Sequence, residues 1–514
     1  MRHSNMIKRI LPVLCMVVLW TGCDSFLEPD PASFSTTANF YETPTQMEQA
    51  VNGVYARLRG FMGDEDYRYM TDLRGPTLTR HFDVNLPHTV AGIPQLDEFT
   101  MDVANGVVER NWQRMYQTIK EANVVIGRID AVEFPDAAQK DRIIGEAKFI
   151  RALCYWNGVQ FWGDIPLSLE EITSPSQAVP EGGRRPASEV YTQIVTDLQD
   201  AIAKLPVSYS GANVGRATQG AARFLLGKTY LLTGNFTGAA TEFTALDAGP
   251  YSYSMMPTYL SVFDPANKNN AESIFELQFN PNIAGQPQID ALLVDILPYT
   301  AGGVFAIPTV VPLGRYMPTP DVINAYEPGD LRYADAIGWW EAAGNSAYPE
   351  IAFNDSIPYL NKFYWPAAIN GQGQMNVNWI SFRFADALLS AAEAYWRSSN
   401  DGQAMTYLNR VRDRAGLPPV NLGDFSGATT GSPMGDAILH ERMIELLGEG
   451  HYWLDLMRFG SDVAERVMVA HGQAFRARDS KTLDVYNIRP DRFLYMVPPR
   501  EILLGELTQN PGWN

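Results

Sequence analysis

Glu441, Glu445 and Glu449 recur every four residues, which places three carboxylates on one face of a helix. His440 and His451 flank them, and these residue types together can hold a metal ion or move a proton. A helical zinc-protease site needs His-Glu-x-x-His. The residue three after Glu441 is Ile444, so that pattern is absent. The structural alternative is that Glu441 and Glu445 pair with buried arginines of neighbouring helices, such as Arg412 or Arg151, and that Glu146 and Arg151 are further helix-to-helix ties. A glycosidase needs two carboxylates roughly 5–10 Å apart across a sugar cleft, and among 58 acidic residues some such pair always exists. The acidic residues in recognisable motifs, however, fall on packed helices, where a substrate has no room. No Gly-x-Ser-x-Gly elbow, phosphate loop or dinucleotide fingerprint occurs. The chain therefore reads as a binding protein and not as an enzyme, with no cofactor and no metal expected.

Binding of sugars asks for flat aromatic faces against the C–H side of a pyranose ring, flanked by groups that bond hydroxyls. Three stretches offer this. Residues 64–83 contain Tyr67, Tyr69, Asp72, Arg80, His81, Phe82 and Asp83. Residues 290–316 contain Asp290, Tyr299, Phe305 and Tyr316. The third stretch contains Trp339, Trp340, Tyr364, Trp365 and Trp379, with Trp339 and Trp365 the candidates for contact. For each ring the alternative is packing in the core of an irregular lobe. Trp339 and Trp340 are adjacent, so in extended chain they face opposite sides and at most one is expected to face solvent.

The elements that must position these residues are mostly helical. Periodicity of the helical kind runs from Thr45 to Leu58, over about 109–130, over about 136–162 and over about 187–205. In 216–248 the order Leu226-Gly227-x-x-Tyr230, Gly234, Ala239 and Phe243 fits a tetratricopeptide helix-turn-helix. Gly227 lets the second helix approach, Tyr230 fills between the helices, and Gly234 makes the turn. Residues 382–415 look like a second copy, and 434–458 like one last amphipathic helix. Residues 61–108 lack a sustained period and are expected to be a long binding loop. Residues 250–380 are rich in Pro, Gly, Asn and aromatics, with short β-like runs at Ser273 to Phe279 and Tyr359 to Phe363. The expected fold is mainly α: a tetratricopeptide-like helical-hairpin scaffold over 44–249 and 381–514, with an inserted loop-rich irregular lobe over 250–380 and little β.

The N-terminus reads as an export signal over residues 1–22. Arg2, Lys8 and Arg9 precede an apolar run from Ile10 to Trp20, too short for the roughly 20 residues that span a bilayer. Thr21-Gly22-Cys23 resembles a lipobox, which would make Cys23 a lipid anchor and 23–43 a tether; the alternative is an ordinary secretory signal with Cys23 a bystander. With Cys15 inside the signal, only Cys154 remains in the globule, so an intrachain disulfide there is excluded and Cys154 reads as a buried small hydrophobe. The chain carries a formal charge of −18, and loss of residues 1–22 removes three basic and no acidic groups, leaving −21. Such a surface repels phosphate backbones, so nucleic acid is not an expected partner. Neutral glycans meet no such barrier.

Several motifs then align, in order, with one family. Trp112-x-x-Met115-Tyr116-x-x-Ile119-x-x-Ala122-Asn123 comes first, followed by Gly145 to Ala152 with Phe161-Trp162-Gly163-Asp164-Ile165-Pro166-Leu167, and by Gly215-Arg216-Ala217-Thr218. The second half continues with Gly329-Asp330-x-Arg332, Arg383-Phe384-Ala385-Asp386, Leu408-Asn409-x-Val411-Arg412, Glu441-Arg442-x-x-Glu445-Leu446 and the closing Gln509-Asn510-Pro511-Gly512-Trp513. The chain resembles the SusD/RagB family over nearly its whole length from Cys23. One departure is His451, in Glu449-Gly450-His451, where the family often has arginine; this puts one helix-packing ion pair in doubt. The resemblance implies an outer-membrane lipoprotein, anchored by lipid alone and facing the cell surface. Its implied role is to bind oligo- or polysaccharide and pass it to a SusC-like TonB-dependent transporter that it caps as a lid. It also favours ligand contacts from the first two aromatic stretches. A lid without sugar affinity, and capture of a peptide nutrient, are the other readings.

Overall fold

The computed structural model describes residues 40–80, 92–174, 177, 182–281, 292–298, 305, 311–341, 356–479 and 486–513. Helices dominate. The first half contains α1 (Pro44–Met62), α2 (Glu65–Thr71), α3 (Ile93–Asp97), α4 (Gly106–Arg128), α5 (Ala137–Trp162), α6 (Ala187–Lys204), α7 (Gln219–Leu232) and α8 (Phe236–Leu246), with the two-residue β1 (Leu78–Thr79) between α2 and α3. The lobe that follows contains β2 (Ser273–Leu277), α9 (Leu292–Ile296), β3 (Met317–Pro318), α10 (Pro320–Ile323), α11 (Arg332–Ala336), β4 (Ile337–Glu341), β5 (Ser356–Leu360) and β6 (Trp379–Arg383). The closing block is α12 (Phe384–Arg397), α13 (Asp401–Arg414), α14 (Pro433–Glu445), α15 (Tyr452–Phe459), α16 (Ser461–Asp479) and α17 (Pro499–Gly505).

Packing follows chain order along the scaffold: α4 on α5, α5 on α6, α6 on α7, α7 on α8, then α8 on α12 and α12 on α13. The lobe thus leaves the helical stack after α8 and returns at α12, an insertion as its composition predicts. Within the hairpin of α7 and α8 the glycines act as the spacing requires. A Cβ on Gly227 would lie 2.7 Å from the Phe243 ring, and Gly234 makes the turn at φ +77°. The strands form three antiparallel pairs among the described residues: β1 with β3, β2 with β6, and β4 with β5. Cys154 is fully buried in α5, and no helix of the described residues is long and apolar enough to cross a membrane.

Two expectations about elements need correction. Residues 61–108 are not one long loop: α2 and α3 form inside it, α2 being capped by Asp64, which accepts from the Asp66 N–H at 3.0 Å. Seven residues make too few turns to display a period, so the pattern carried no sign of it. The helix expected over 434–458 is two helices, because Gly448 and Gly450 take left-handed backbone at φ +69° and +83°. The helix α16 also lies beyond the last one that periodicity indicated.

Candidate functional site

Glu441 and Glu445 of α14 and Glu449, which lies in the turn after it and not on the same helix, are structural, and what they hold is the frame of the aromatic lobe. Arg332 opens α11, just before β4, and donates to Glu441 at 2.6 Å and to Glu445 at 2.9 Å. Arg383 ends β6 and donates to Glu445 and Glu449, each at 2.6 Å, and to Glu272 at 2.8 Å. Lys362, just after β5, donates to Glu449 at 2.6 Å and to the Tyr259 hydroxyl at 3.0 Å. Arg412 reaches Glu441, as the spacing suggested, and Arg414 reaches Glu445. Arg151 does neither; it forks onto Asp197 of α6. Burial alone would push these carboxyls up, but Arg414, Arg383 and Arg332 hold Glu445 well below the usual range, and Arg383 and Lys362 hold Glu449 below it. Burial in turn pushes the Lys362 ammonium down to about 8 despite Glu449. His451 is buried, and that burial lowers its imidazole to about 4, so it is neutral and forms no ion pair in the place where the family often has arginine. Carboxylates locked between arginines cannot serve as general acid or base, and among the described residues no group of three His, Cys, Asp or Glu is placed to hold a metal ion.

On this frame stands a ribbon of two strands. Ile337 pairs with Leu360, Gly338 with Tyr359, Trp339 with Pro358, and Trp340 with Ile357. Directly opposed residues share a face, so Trp340 and Tyr359 lie on one side and Trp339 lies on the other with the buried Ile337 and Leu360. Gly338 makes the first face possible: a Cβ there would fall 2.1 Å from the Tyr359 ring, which therefore lies across the glycine. Phe305 and Tyr364 complete the cluster. The Phe305 ring stands 5.2 Å from Tyr359 and 5.1 Å from Tyr364, nearly perpendicular to both. The Tyr364 hydroxyl donates to the Phe305 carbonyl at 3.2 Å, and the Trp365 indole N–H donates to the Lys362 carbonyl at 3.0 Å. All of these rings are half-buried: seated firmly, yet presenting part of their surface. Edge-to-face contacts of this kind contribute about 0.5–1.5 kcal/mol each and fix ring orientation before a ligand arrives. Partial burial raises the phenols of Tyr359 and Tyr364, which keeps them as neutral hydroxyls.

The first two aromatic stretches behave differently. Tyr67 and Tyr69 lie on α2 with their rings buried, Tyr67 donating to Asn157 at 2.9 Å and Tyr69 to Asp295 at 2.8 Å. Asp72 is buried and accepts from the Gly450 N–H at 3.0 Å. Arg80 is buried and paired with Glu98, and Tyr316 is buried 5.8 Å from Tyr69. These five side chains are in the core, so no sugar reaches them in this structure. For Tyr67, Tyr69 and Asp72 the cause is α2 and its C-cap: an unrecognised helix turned what read as loop positions into core positions. Trp379 is likewise buried. His81, Phe82, Asp83, Asp290 and Tyr299 lie outside the described residues, as does Cys23. Of the candidate residues, the fold brings together Phe305, Trp365 and the ribbon that carries Trp339. Trp339 packs against the core, as Phe305, Tyr359, Tyr364 and Trp365 also do, and the ring that shares the face of Tyr359 is Trp340, opposite the buried Ile357. Tyr359 was missed as a contact residue because an alternating strand gives no sign of which face is wet; the glycine opposite it is the only hint.

Buried polar groups tie α9 to α2 and to Arg315. Asp295 of α9 accepts from Tyr69, and Arg68 and Arg315 lie 3.7 and 3.6 Å from it. Burial pushes the Asp295 carboxyl up to about 7, against the pull of both arginines.

Comparison with known proteins agrees with this architecture. A family model described as "SusD family" matches residues 313–513, and one described as "Starch-binding associating with outer membrane" matches residues 26–231. A SusD-like protein, P25, of Formosa agariphila is 29% identical over 496 residues, covering 88% of this chain and 90% of its own. Among solved structures, surface glycan-binding protein A from Bacteroides thetaiotaomicron in complex with laminarihexaose superposes with a TM-score of 0.72 at 22% identity, over 91% of this chain and 99% of its own. A laminarin-binding SusD-like protein superposes at 0.71 and 24% identity, over 92% and 100%. The solved structures share the fold over nine-tenths of the chain, and the two family models, which between them match residues 26–231 and 313–513, place this protein in the SusD family.

Proposed function

We propose that this chain captures oligo- or polysaccharide at the cell surface and passes it to a SusC-like TonB-dependent transporter in the outer membrane, to which a lipid on Cys23 tethers it. The single observation that carries the reading is the half-buried ring cluster of Phe305, Tyr359 and Tyr364, held at right angles on a ribbon with Trp340 on the same face. Such rings offer C–H-binding faces with phenol oxygens at their edges, the combination that a pyranose needs. Relatives named for laminarin and laminarihexaose, and a family description that names starch, point to glucans as the first ligands to try. The charge of −18 favours neutral over anionic chains. Binding without cleavage is the role proposed, since the glutamates of the frame are locked between arginines and lysine.

Calorimetric titration of the detergent-solubilised chain with laminarihexaose and with maltohexaose tests this. Saturable heat with one of them is expected. Tyr364→Ala should then weaken affinity about tenfold or more, or about 1.4 kcal/mol, as loss of a central aromatic anchor does. Equal affinity in the variant would move the site elsewhere, and silence with every neutral glucan tried would argue against the reading.

A further inference from the structure

We propose that the molecule has a second saccharide-contact groove, separate from the ribbon, built where the linker from α6 to α7 meets the segment after α8 and the start of β2. It rests on the glycan-binding reading above and extends it to a second set of residues. The groove has room of about 290 Å³, at the lower edge of the range that takes small ligands. Its floor is a pair of tyrosines. Tyr251 and Tyr253 are two apart in the chain, and their rings lie 6.0 Å apart and within 14° of parallel. Both are fixed at the oxygen end. The Tyr251 hydroxyl donates to Gln219 at 2.6 Å and accepts from the Arg223 guanidinium at 2.8 Å. Tyr253 shares a hydrogen bond of 3.2 Å with Thr218, and its phenol sits on Gly220, where a Cβ would come within 2.3 Å of the hydroxyl. Tyr209 stands in the opposite wall, its hydroxyl donating to Glu146 at 3.1 Å.

The polar lining selects the ligand class. The charged groups of the groove are already engaged: Arg216 is paired with Glu146 at 2.8 Å and Glu48 at 2.5 Å, and the buried Glu276 accepts from the Asn378 amide at 2.8 Å and the Asn269 N–H at 3.0 Å. What remains for a ligand is half-buried phenol surface, the exposed hydroxyls of Ser208 and Ser252, and an exposed apolar rim residue, Val214. An anionic ligand would find Arg216 already paired, and a purely apolar one would strand the hydroxyls, whereas a neutral saccharide satisfies both surfaces. Glu276 of β2 lines this groove on one side and the narrow cleft under Trp365 on the other.

Hydrogen–deuterium exchange of the full chain in detergent, with and without saturating laminarihexaose and then maltohexaose, tests the groove. Exchange over 207–218 and 250–254 should slow by about threefold or more with one of them, in addition to slowing over 356–365. Tyr251→Ala with Tyr253→Ala should abolish the first effect and leave the second. Ser208→Trp, which fills the mouth without touching the core, should do the same and guards against a misfolded double variant. Slowing confined to 356–365 would overturn the groove and leave the ribbon reading intact. No slowing anywhere with either sugar would overturn both.

Discussion

Arg383→Met is expected to destabilise the protein by about 3–5 kcal/mol, the range found when one partner is removed from a buried ion pair. Every guanidinium nitrogen of Arg383 is engaged: Nη1 with Glu272 and Glu445, Nε with Glu449, and Nη2 with Glu449 and with the Glu445 carbonyl. Methionine of similar length fills the space but leaves three buried carboxylates short of a cation. Arg383→Lys keeps the charge without the fork and should recover only part of the loss. Chemical unfolding measures both, against a total stability of about 5–15 kcal/mol for a typical domain. A loss of less than about 1 kcal/mol would show that the network tolerates a missing cation and is not what fixes the lobe. The wild-type network also carries a pH signature. Carboxyls held below their unfolded value, as Glu445 and Glu449 are, contribute stability that is present above that value and is lost as pH falls through their folded range.

Asp72→Asn is expected to give the opposite pH dependence. Burial pushes the Asp72 carboxyl up to about 7, although the Gly450 N–H, Lys362 and Arg68 oppose it. A raised acid costs the folded state nothing while both states hold the proton, and the penalty builds once the unfolded chain begins to lose it. Its contribution therefore falls from about pH 4 to about pH 7, and the full penalty stands above that. Asparagine keeps an oxygen for Gly450 and never ionises. The difference in stability between variant and wild type should grow in favour of the variant by roughly 2–4 kcal/mol between pH 4.5 and pH 8. Asp295, pushed up to about 7 in the same way, is present in both proteins and cancels. Melting temperatures across that range measure the gap. A difference constant with pH would mean that Asp72 ionises normally inside the fold.

Long periodic elements were legible in the sequence because a helix of three or more turns writes its buried face at fixed spacing. The hairpin of α7 and α8 could be named to the residue, with Gly227 against Phe243 and Gly234 in the turn. The reading of Glu441 and Glu445 as structural was also available, since four-residue spacing on an amphipathic helix buries one side; of the two arginines named as partners, Arg412 is one and Arg151 is not. The site was harder to read. Tyr67 and Tyr69 sit on a helix of seven residues, too short to announce itself, with Asp72 at its C-cap, and what looked like a wet loop is core. In the ribbon, Trp339 and Trp340 do point to opposite sides, but the choice between them depends on register with β5, which a single strand does not contain. The cations that make the lobe rigid, Arg332, Lys362 and Arg383, come from three distant places in the chain and meet only in the folded protein.

The most direct test of the account is a crystal structure of this chain soaked with laminarihexaose or maltohexaose. The account predicts density for at least one glucose ring against Tyr359 and Tyr364, with Phe305 and Trp340 at its edges. A sugar bound elsewhere with that face empty would contradict it.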